Sequence, residues 1–492
     1  MQNLNESLQA KYPHLELAIL PLSQVNKDNE SKRIDSEYFK KEYLENEERL
    51  LNLGSIKLEN FILKMAGGAT PLGANYPDSG IPFLRVQNIM QNHFNLNDIV
   101  YISKSDDEIL KRSRLNRGDM LLTITGAYGK AAVVEQDLEN ANINQHSVKI
   151  ETKDINPYFL ATFINSKYGQ LQCDKKITGV TRPALDYQVI RDFLIPQFSQ
   201  DFQLEIQNLV QDSHKALEDS KRLYKEAQEL LYKELELDFK NPLKSLLKSS
   251  LQAKKPSELA IINDISKKYP HLNISVRPLS KSLHKSGRLD SEYYQSKYDL
   301  MENKIKDYKG GYCKLQPSEI KDSNFTPKAQ EKYRYIELAN IGNNGNISEP
   351  LEDFGENLPT RARRKVKTDD FIMSSIEGSL TSCALITPEF DNCLVSTGFY
   401  VLNSSELNSE ALLVLFKCEF FQEYLRKFPS GTILTAISKD ELQNILIPKI
   451  APATQEQIAL KIQKSFTLRA KSKDLLQNAK IKLENAIENG TK

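Results

Sequence analysis

Some of the polar side chains in this sequence are of the types that can recognise nucleic-acid bases. Arg85, Gln87 and Asn88 follow the apolar run IPFL, and the run NQHS begins at Asn144 between two more short apolar runs. Arginine, asparagine and glutamine can each form two hydrogen bonds with one base edge. These residues therefore suit base recognition, although polar side chains of edge strands that face water would give the same pattern.

Hydroxyl-rich loops and basic clusters could contact phosphates. The loops TGVTRPALDY from Thr178 and SGTILTAISK from Ser430 each stand before the last short apolar run of their half of the chain. The basic clusters KRSRLNRGD from Lys111 and RARRKVKTDD from Arg361 are 250 positions apart, and phosphate contacts supply most sequence-independent affinity for DNA. A solvated helix before a strand explains these clusters equally well.

The candidate DNA-contacting residues form three groups. They are Arg85, Gln87, Asn88, Thr125, Tyr128, Lys130, Asn144, Gln145 and His146 for bases; Lys111, Arg114, Arg117, Arg361, Arg364 and Lys367 in the basic clusters; and Thr178, Thr181, Arg182, Ser379, Thr381 and Thr432 in loops. Gln87 aligns with Ala339, and NQHS aligns with STGF from Ser396. Two modules that read different sequences would differ in this way, and so would two modules that have drifted apart.

The composition limits the class of protein. With 492 residues the chain is too long for one hydrophobic core, so we expect two domains. The hydrophobic fraction of 40% and the charged fraction of 27% are typical of a soluble globular protein. No apolar run approaches the roughly 18 residues of a membrane helix. There are 66 basic and 65 acidic side chains, and the net charge of +1 favours no class of partner.

The start of the chain and its cysteines indicate the compartment. MQNLNESLQAKYPH has neither a basic leader nor an apolar segment, so we expect a cytoplasmic protein without a membrane partner. Cys173, Cys313, Cys383, Cys393 and Cys418 are scattered and never spaced as CxxC. We therefore expect buried, reduced thiols rather than disulfides, and no metal site.

The whole chain is one long unit written twice. KYPHLELAILPLSQV from Lys11 returns as KYPHLNISVRPLSKS from Lys268, and RIDSEYF from Arg33 returns as RLDSEYY from Arg288. Near the end of each unit, DFLIP returns as NILIP 252 positions later. A repeat of this length is a domain with a further segment rather than a solenoid repeat. We therefore expect a tandem duplication with pseudo-twofold symmetry.

A long amphipathic helix ends each unit. After Pro196 and after Pro448, apolar and small residues recur at alternating spacings of three and four. The stripe positions are Ile206, Leu209, Ser213, Ala216, Ser220, Leu223, Ala227 and Leu230 in the first helix, and Ile458, Ile462, Ser465, Leu468, Ser472, Leu475, Ala479 and Leu483 in the second. The small residues predict that the helices pack closely and antiparallel against each other. A helix folded back on its own domain is the alternative.

The segments between the helices are rich in strands. IPFLRVQNI, DMLLTITG, KAAVVEQ and NINQHSVKIET are short β-type runs separated by turn residues, and NPYFLATFINS is helical, with Pro157 in its first turn. The predicted fold class is therefore α+β, a tandem duplication of a strand-rich domain in which each copy is followed by a long helix. The predicted domains are residues 1–197 and 251–449, and the predicted spacer helices are 198–250 and 450–492.

The common enzyme motifs are missing from the sequence. It contains no GxGxxG, no P-loop, no HExxH and no GxSxG. NPYF at Asn156 differs from the NPPY motif of adenine methyltransferases because it lacks one proline, begins a helix and follows no glycine-rich cofactor strand. We therefore expect no catalytic residues in this chain.

The order of the motifs resembles the specificity subunit of Type I restriction-modification systems. The resemblance extends over essentially the whole chain and rests on RIDSEYF and RLDSEYY, GGATPLG with GIPFLRVQNI, GDMLLTITGAYGKAAVV, ANINQHSVKI, NPYFLATFINS, and the run from TGVTRPAL to DFLIP. No single motif is diagnostic, but their order, repeated twice and alternating with long helices, is specific. The second copy departs from the pattern at GGATP and in the NQHS region.

The resemblance implies a role in DNA recognition. Each strand-rich segment would be a target-recognition domain that reads one half of a bipartite, asymmetric site in double-stranded DNA. The helices would form an antiparallel coiled coil that sets the gap between the halves and docks two methyltransferase subunits, and restriction subunits would join the complex. S-adenosylmethionine, ATP and Mg would be bound by those partners, and this chain would bind no cofactor.

Two other functions stay open from the sequence alone. A two-domain scaffold that binds protein or sugar would need no matched basic clusters, and its binding would be insensitive to salt. A self-contained DNA methyltransferase would bind S-adenosylmethionine, and the sequence lacks the glycine-rich loop for that cofactor.

Overall fold

The computed structural model describes residues 2–26, 29, 32–71, 73, 76–178, 183–244, 246, 287–431 and 435–490. Two compact units divide the chain: Met1–Leu217 with Arg469–Lys492 form the first, and Glu218–Leu468 form the second. The predicted boundaries at 197, 250 and 449 stay predictions. The sequence also predicts a short helix at 257–268; this segment and the motif copy that begins at Lys268 lie outside the described residues.

The first unit contains the helices and strands of the first repeat. Its helices are α1 (Gln2–Lys11), α2 (Leu22–Asn26), α3 (Lys41–Asn52), α4 (Lys104–Ile109), α5 (Pro157–Asn165), α6 (Lys167–Lys176), α7 (Tyr187–Arg191) and the first part of α8 (Gln200–Glu234). Its strands are β1 (Ile56–Lys57), β2 (Ile62–Gly67), β3 (Ile81–Leu84), β4 (Val100–Ile102), β5 (Met120–Thr123), β6 (Ala131–Val133), β7 (Asn142–Ile143), β8 (Ser147–Thr152) and β9 (Leu194–Ile195).

Two sheets contain most of these strands, and β1 pairs with β9 as a separate two-stranded sheet. The larger sheet has the order β2–β8–β5–β6 and is antiparallel, and the smaller has the order β4–β3–β7 with β3 parallel to β7. Because side chains alternate along a strand, Met120 and Leu122 of β5 face a core that includes Phe159 of α5. Leu121 faces a second core with Leu84 of β3. The larger sheet is therefore covered on both faces, which is why β5 is a continuous apolar run.

The second unit contains the helices and strands of the second repeat. Its helices are α9 (Ser296–Lys306), α10 (Ser409–Lys417), α11 (Glu419–Leu425), α12 (Lys439–Asn444) and the first part of α13 (Pro452–Asn489). Its strands are β10 (Tyr312–Cys313), β11 (Ile320–Lys321), β12 (Lys332–Ile336), β13 (Leu351–Phe354), β14 (Ala362–Lys365), β15 (Phe371–Ser374), β16 (Cys383–Leu385), β17 (Leu394–Ser396), β18 (Phe399–Leu402) and β19 (Ile447–Pro448).

The sheets of the second unit have the same strand order as those of the first, with one addition. The antiparallel sheet is β11–β18–β15–β16, and the other sheet is β13–β12–β17–β14, in which β12 is parallel to β17. Strand β14 has no counterpart among the described strands of the first unit. The duplication therefore preserves the framework and changes one edge of the smaller sheet.

The same cap begins the central helix of each unit. The side chain of Asn156 accepts hydrogen bonds from the backbone of Tyr158 at 2.9 Å and of Phe159 at 3.3 Å. Asn408, 252 positions later, accepts one from the backbone of Ala411 at 2.8 Å. Such caps satisfy N–H groups that have no partner inside the helix. The NPYF sequence is thus a helix start, as predicted.

The two long helices contact each other in each unit. In the first unit, the Ser213 hydroxyl of α8 lies 2.8 Å from the Ser472 hydroxyl of α13. In the second unit, the Ser220 and Ser465 hydroxyls lie 2.9 Å apart. Within the first unit Glu205 also pairs with Lys482, and within the second unit Glu226 also pairs with Lys461. Residue numbers on α13 therefore fall as those on α8 rise, so the pairing is antiparallel within each unit. All four serines are buried, which confirms the predicted seam of small residues.

Each helix also packs on the strand-rich domain that it follows. The side-chain carbonyl of Gln203 in α8 accepts the backbone N–H of Asn156 at 2.9 Å, and that of Gln455 in α13 accepts the backbone N–H of Asn408 at 2.8 Å. The alternative of a helix folded back on its own domain is therefore also correct in part. Together with the sheets, these contacts confirm the predicted α+β fold class with paired long helices.

No helix among the described residues is both long enough and apolar enough to span a membrane.

Candidate nucleic-acid interface

Loops of the first unit converge at one end of its larger sheet. β2 and β5 finish there, and β8, which runs in the opposite direction between them, begins there. The pairs Gly67–Val148 and Thr123–Ser147 mark this end in the register. We call it the loop end of the sheet, and it brings together the segments that follow β2 and β5 and the segment that precedes β8.

Backbone hydrogen bonds hold these loops together. The N–H of Ile124 donates to the carbonyl of His146, and the N–H of Leu185 donates to the carbonyl of Ile124, both at 2.9 Å. Thr125 and Ala184 form an isolated bridge. Three segments that are distant in sequence are therefore fixed as one surface, which contains the predicted residues Thr125 and His146.

The glycines of the GGATP run permit close approach at the loop end. A Cβ atom on Gly67 would lie 1.7 Å from the hydroxyl of Tyr187, and one on Gly68 would lie 2.2 Å from the carbonyl of Ile143. Only glycine fits such positions without a shift of the neighbours. This packing accounts for the glycines without a catalytic role.

Arg85 and Gln87 lie beside the loop end and share one partner. The N–H of Asn144 donates to the carbonyl of Leu84 at 3.1 Å, which places the end of β3 next to the NQHS segment. The Arg85 guanidinium donates to the Asp98 carbonyl at 2.7 Å and to its carboxylate at 3.1 Å, and the Gln87 amide donates to the same carboxylate. Sequence analysis missed Asp98 because its partners are more than ten positions away.

Asn88 is a correction to the predicted base-contacting set. Its side chain is fully buried, with 0% exposed. The side-chain carbonyl accepts the N–H of Arg85 at 2.9 Å, and the amide donates to the Asp98 carboxylate at 2.8 Å. Asn340 of the second unit accepts the N–H of Glu337 in the same way at 2.8 Å. The asparagine is duplicated because it caps a turn, so it is not available to bases.

The NQHS segment is divided between buried and exposed side chains. Asn144 is buried, and its side-chain carbonyl accepts the N–H of His146 at 3.2 Å, so it shapes the turn rather than facing solvent. Gln145 is exposed and accepts a hydrogen bond from the Thr70 hydroxyl, and His146 is partly exposed. Gln145 and His146 therefore remain candidates for contacts with bases. Asn144 is buried, so the prediction that it contacts bases is corrected.

The other predicted residues of the first loop end have mixed surroundings. Burial and the hydrogen bond from Tyr128 to Asp174, 3.0 Å long, raise the pKa of the tyrosine to about 12. The Lys130 ammonium lies 3.7 Å from the sulfur of Met90, and Thr178 is exposed. The N–H of Thr123 donates to the Lys130 carbonyl at 2.9 Å, and Thr178 bridges Ala184, which in turn bridges Thr125. These contacts place Lys130, the preceding turn with Tyr128, and Thr178 near the loop end. Thr181 and Arg182 lie outside the described residues.

The basic cluster of the first unit lies at the opposite end of β5. Arg114 binds the carboxylates of Asp107 at 2.6 Å and Glu108 at 3.1 Å, and Lys111 lies 3.4 Å from Glu108. Arg117 is exposed and precedes the first residue of β5 by three positions. The structure thus separates this cluster from the loop end, and neighbouring acids offset much of its charge.

The basic cluster of the second unit folds differently. Where Lys111 begins a short 3-10 helix, the second cluster forms β14. The carbonyl of Arg361 accepts the N–H of Thr397 at 2.8 Å, and the Arg364 guanidinium donates to the Phe399 carbonyl and lies over the Tyr400 ring. Burial lowers the pKa of Arg364. In the antiparallel sheet of the second unit, β15 finishes and β18 begins at the pair Ser374–Phe399, which marks the loop end of that sheet. Strand β14 brings Arg364, and Arg361 just before it, to this loop end.

The matched positions predicted for the two basic clusters need a correction. The N–H of Lys367 donates to the Asp370 carboxylate at 2.9 Å, as the N–H of Asn116 does to Asp119 at 2.7 Å. Lys367 is therefore the counterpart of Asn116, one residue away from the predicted alignment with Arg117. It lies at the end of β15 away from the loops.

The loop end of the second unit is built like the first. The backbone N–H and the hydroxyl of Ser375 both donate to the Gly398 carbonyl at 2.9 Å, and the N–H of Ile437 donates to the Ser375 carbonyl at 2.8 Å. The Ser379 hydroxyl lies 2.8 Å from that of Ser374, and Thr381 is exposed. Thr432 lies outside the described residues.

Sequence analysis also missed a lysine beneath the second loop end. The Lys417 ammonium donates to the carbonyl of Thr381 at 2.7 Å and to that of Gly342 at 2.8 Å. Burial lowers the pKa of Lys417 to about 8. Its counterpart in the first unit, Asn165, donates to the carbonyl of Ala131 at 2.8 Å. Within the described residues, no group of three or more His, Cys, Asp or Glu could hold a metal ion.

Comparisons with known proteins give one related sequence and several similar structures. The Type I restriction enzyme EcoBI specificity subunit of Escherichia coli is 33% identical over 129 residues, which cover 26% of this chain and 27% of that protein. No protein-family model matches the chain. The chain therefore aligns with about a quarter of the length of its curated relative.

Two of the similar structures are Type I specificity subunits. The S subunit of M. genitalium is 10% identical, with 89% of this chain and 95% of that chain covered and a TM-score of 0.41. The HsdS subunit of Thermoanaerobacter tengcongensis is 15% identical, with 88% and 95% covered and a TM-score of 0.27. The sequence match confirms the predicted resemblance to Type I restriction enzyme specificity subunits over about a quarter of the chain.

Proposed function

We propose that this chain is the DNA-recognition subunit of a Type I restriction-modification complex. Each unit reads one half of a bipartite, asymmetric site through the loop end of its larger sheet. Two methyltransferase subunits, which bind S-adenosylmethionine, and restriction subunits, which bind ATP and Mg, supply the catalysis. The chain itself has no catalytic role in this proposal.

The main support is the contrast between retained and changed residues at the two loop ends. The capping asparagine is the same, as Asn88 and Asn340. The side chains around it differ, because Glu337 stands where Arg85 stands and Ala339 where Gln87 stands. A common framework that presents different donors and acceptors suits two modules that read different base sequences. The Escherichia coli relative, a Type I restriction enzyme specificity subunit, agrees with this function.

A map of methylated adenines tests the proposal directly. The genome of the native strain would be compared with that of a strain lacking this gene. We expect the loss of one split motif with a fixed gap and two different halves. An unchanged map, together with purified chain whose binding to double-stranded DNA does not weaken as salt rises, would contradict the proposal, since phosphate contacts release counterions.

The paired helices would act as the spacer between the half-sites. Because Ser213 pairs with Ser472 and Ser220 with Ser465, deleting residues 214–220 together with 466–472 brings Ser213 opposite Ser465 and preserves the seam. Each deletion removes about 10 Å of helix at 1.5 Å per residue. We expect the gap in the methylated motif to change while both half-sites stay the same.

The control for this experiment deletes 214–220 alone. The stripe of small residues on α8 is then seven residues shorter than the stripe on α13, so the serines can no longer pair along the whole seam. We expect an unstable chain or loss of methylation rather than a new gap. A double deletion that alters the half-sites and leaves the gap unchanged would rule out the spacer role.

A further inference from the structure

The repeated RIDSEY and RLDSEY sequences form the same clamped turn in each unit. The Arg33 guanidinium binds the Asp35 carboxylate through two nitrogens, at 2.8 and 2.6 Å, and Arg288 binds Asp290 at 2.8 and 3.0 Å. The hydrogen bond from Arg33 lowers the pKa of Asp35 to about 2. We call these segments, residues 33–38 and 288–293, the arginine turns.

Each arginine turn is anchored beside a loop of its own unit. Arg33 donates to the carbonyl of Ile177 at 3.1 Å, and Arg288 donates to the carbonyls of Phe428 and Pro429, both at 3.0 Å. The guanidinium of Arg288 also lies over the ring of Tyr293, 4.4 Å from its centroid. These contacts explain why the arginine, the aspartate and the tyrosine are duplicated.

The same contacts leave other duplicated residues unexplained. Ile34, between the clamped arginine and aspartate, is 84% exposed, and Leu289 at the same place in the second unit is 71% exposed. The serine and glutamate that follow the aspartate are also retained and exposed in both turns, as Ser36 with Glu37 and Ser291 with Glu292. A single exposed aliphatic side chain is common on protein surfaces, but its return at the same place in two copies that differ elsewhere indicates a surface that both copies use for one partner.

We propose that the two arginine turns are equivalent docking knobs for a protein subunit that binds each unit once. This inference rests on the proposed function, in which two copies of one methyltransferase subunit join the chain. The partner presents a small apolar pocket for Ile34 or Leu289. The glutamates are less telling, because Glu37 already pairs with Lys40 at 2.7 Å and Glu292 accepts a hydrogen bond from Gln295.

The retained chemistry favours a protein over DNA. The half-sites read by the two units differ, so a DNA-contacting side chain has no reason to stay the same. The exposed groups retained in the turns are an aliphatic chain, a hydroxyl and a carboxylate, and a carboxylate repels phosphates. The arginine of each turn is already bonded to its aspartate. A surface shared by both units suits the one partner that both units share.

The rigidity of the turns suits docking. The aspartates also accept the backbone N–H of the tyrosines, at 3.2 Å for Asp35 with Tyr38 and 3.0 Å for Asp290 with Tyr293. Because the turn is held in place before binding, little conformational entropy is lost when the apolar side chain enters a pocket. Burying an aliphatic side chain of this size then gives about tenfold or more in affinity.

The test uses the full chain and the purified cognate methyltransferase subunit. Ile34→Asp and Leu289→Asp are made singly and together, and the number of methyltransferase copies per chain and their affinity are measured by sedimentation. We expect each single variant to weaken one of the two copies at least tenfold, and the double variant to weaken both. DNA binding by each purified variant alone should equal that of the unaltered chain.

Ile109→Asp is the matched control, because Ile109 is 80% exposed in the first unit and, at the offset of 251 that relates Asn116 to Lys367, its place in the second repeat is taken by Thr360. It should leave both copies bound. A double variant that still binds two methyltransferase copies with unchanged affinity, and still binds DNA, would overturn the docking inference and leave the proposed function intact. If the unaltered chain binds neither the methyltransferase subunit nor DNA, the proposed function fails instead.

Discussion

Both units have a buried aspartate just before the central strand of the antiparallel sheet, but the lysine that pairs with it comes from a different strand in each unit. In the first unit, Asp119 pairs with Lys149 of β8 at 2.9 Å, and both side chains are 2% exposed. In the second unit, the equivalent Asp370 binds Lys321 of β11 at 2.6 Å and the amide of Asn403 at 2.7 Å. The position of Lys149 is taken by Val401. The fold requires a partner for the carboxylate, and two different strands can supply it.

A second difference concerns the loop ends. The first unit holds Arg85 and Gln87 with Asp98, whereas the second has Glu337 and Ala339 at those places and binds its capping Asn340 to Ser348 at 3.1 Å. The first places its basic cluster away from the loops, whereas the second brings Arg361, the residue before β14, to the loop end. The buried residues therefore keep the same structural roles in both units, whereas the exposed residues of the loop ends differ. This is expected when two domains share a framework and read different DNA sequences.

The largest effect should come from breaking the buried pair of the first unit. Lys149→Met leaves Asp119 charged and buried without its cation, and we expect a loss of about 3–5 kcal/mol in the free energy of unfolding. Lys321→Met is the matched change in the second unit. Lys321 is 43% exposed and Asn403 still binds Asp370, so we expect about 1 kcal/mol or less. Urea unfolding of both variants measures the difference, and equal losses would contradict it.

A smaller effect should follow the loss of Asp98. Asp98→Ala frees the Arg85 and Gln87 side chains from their fixed positions. We expect discrimination at one or two base pairs of the first half-site to fall by about 10–100-fold, while the second half-site is unchanged. The map of methylated adenines reports both halves in one experiment. Ser348→Ala removes the corresponding contact in the second unit and should leave recognition of the first half-site unaltered. If either change alone weakened base discrimination in both half-sites, the two units would not read their half-sites independently.

The smallest effect concerns the lysine beneath the second loop end. The pKa of Lys417 in the folded chain, about 8, lies below its ordinary value of 10.5. Between these values the unfolded chain binds a proton that the folded chain does not, so the free energy of unfolding should rise with pH. We expect about 1 kcal/mol between pH 8 and 9, measured against Lys417→Asn, which copies Asn165 of the first unit. Parallel curves for the two proteins would show that Lys417 does not titrate in this range.

Much of the architecture could be predicted from the sequence because it depends on periodic patterns. The duplication follows from repeated motifs, and the helix seam follows from small residues at regular spacing, which the Ser213–Ser472 and Ser220–Ser465 contacts confirm. The helix start at Asn156 was also predictable, because its cap is local. The packing of each helix on its own domain was considered only as an alternative to the pairing of the helices, whereas the structure shows both.

The site was harder to predict because it depends on contacts between distant residues. Asn88 has the side chain of a base reader, yet its bonds to Arg85 and Asp98 bury it. Its identity with Asn340 in the second copy was the signal of a structural role. The different folds of the two basic clusters depend on pairing with β17, which charge patterns do not reveal.

The division of the long helices between the units has a consequence for the order in which the chain folds during synthesis. Ala479, Leu483 and Ile487 of α13 belong to the same core as Phe159 of the first unit, and Tyr168 binds Glu488 across 320 positions of sequence. Domains commonly fold one after another as they leave the ribosome. Here the earliest part of the chain must wait for α13 before its core is complete, so a nascent chain stalled before α13 would expose that core to chaperones.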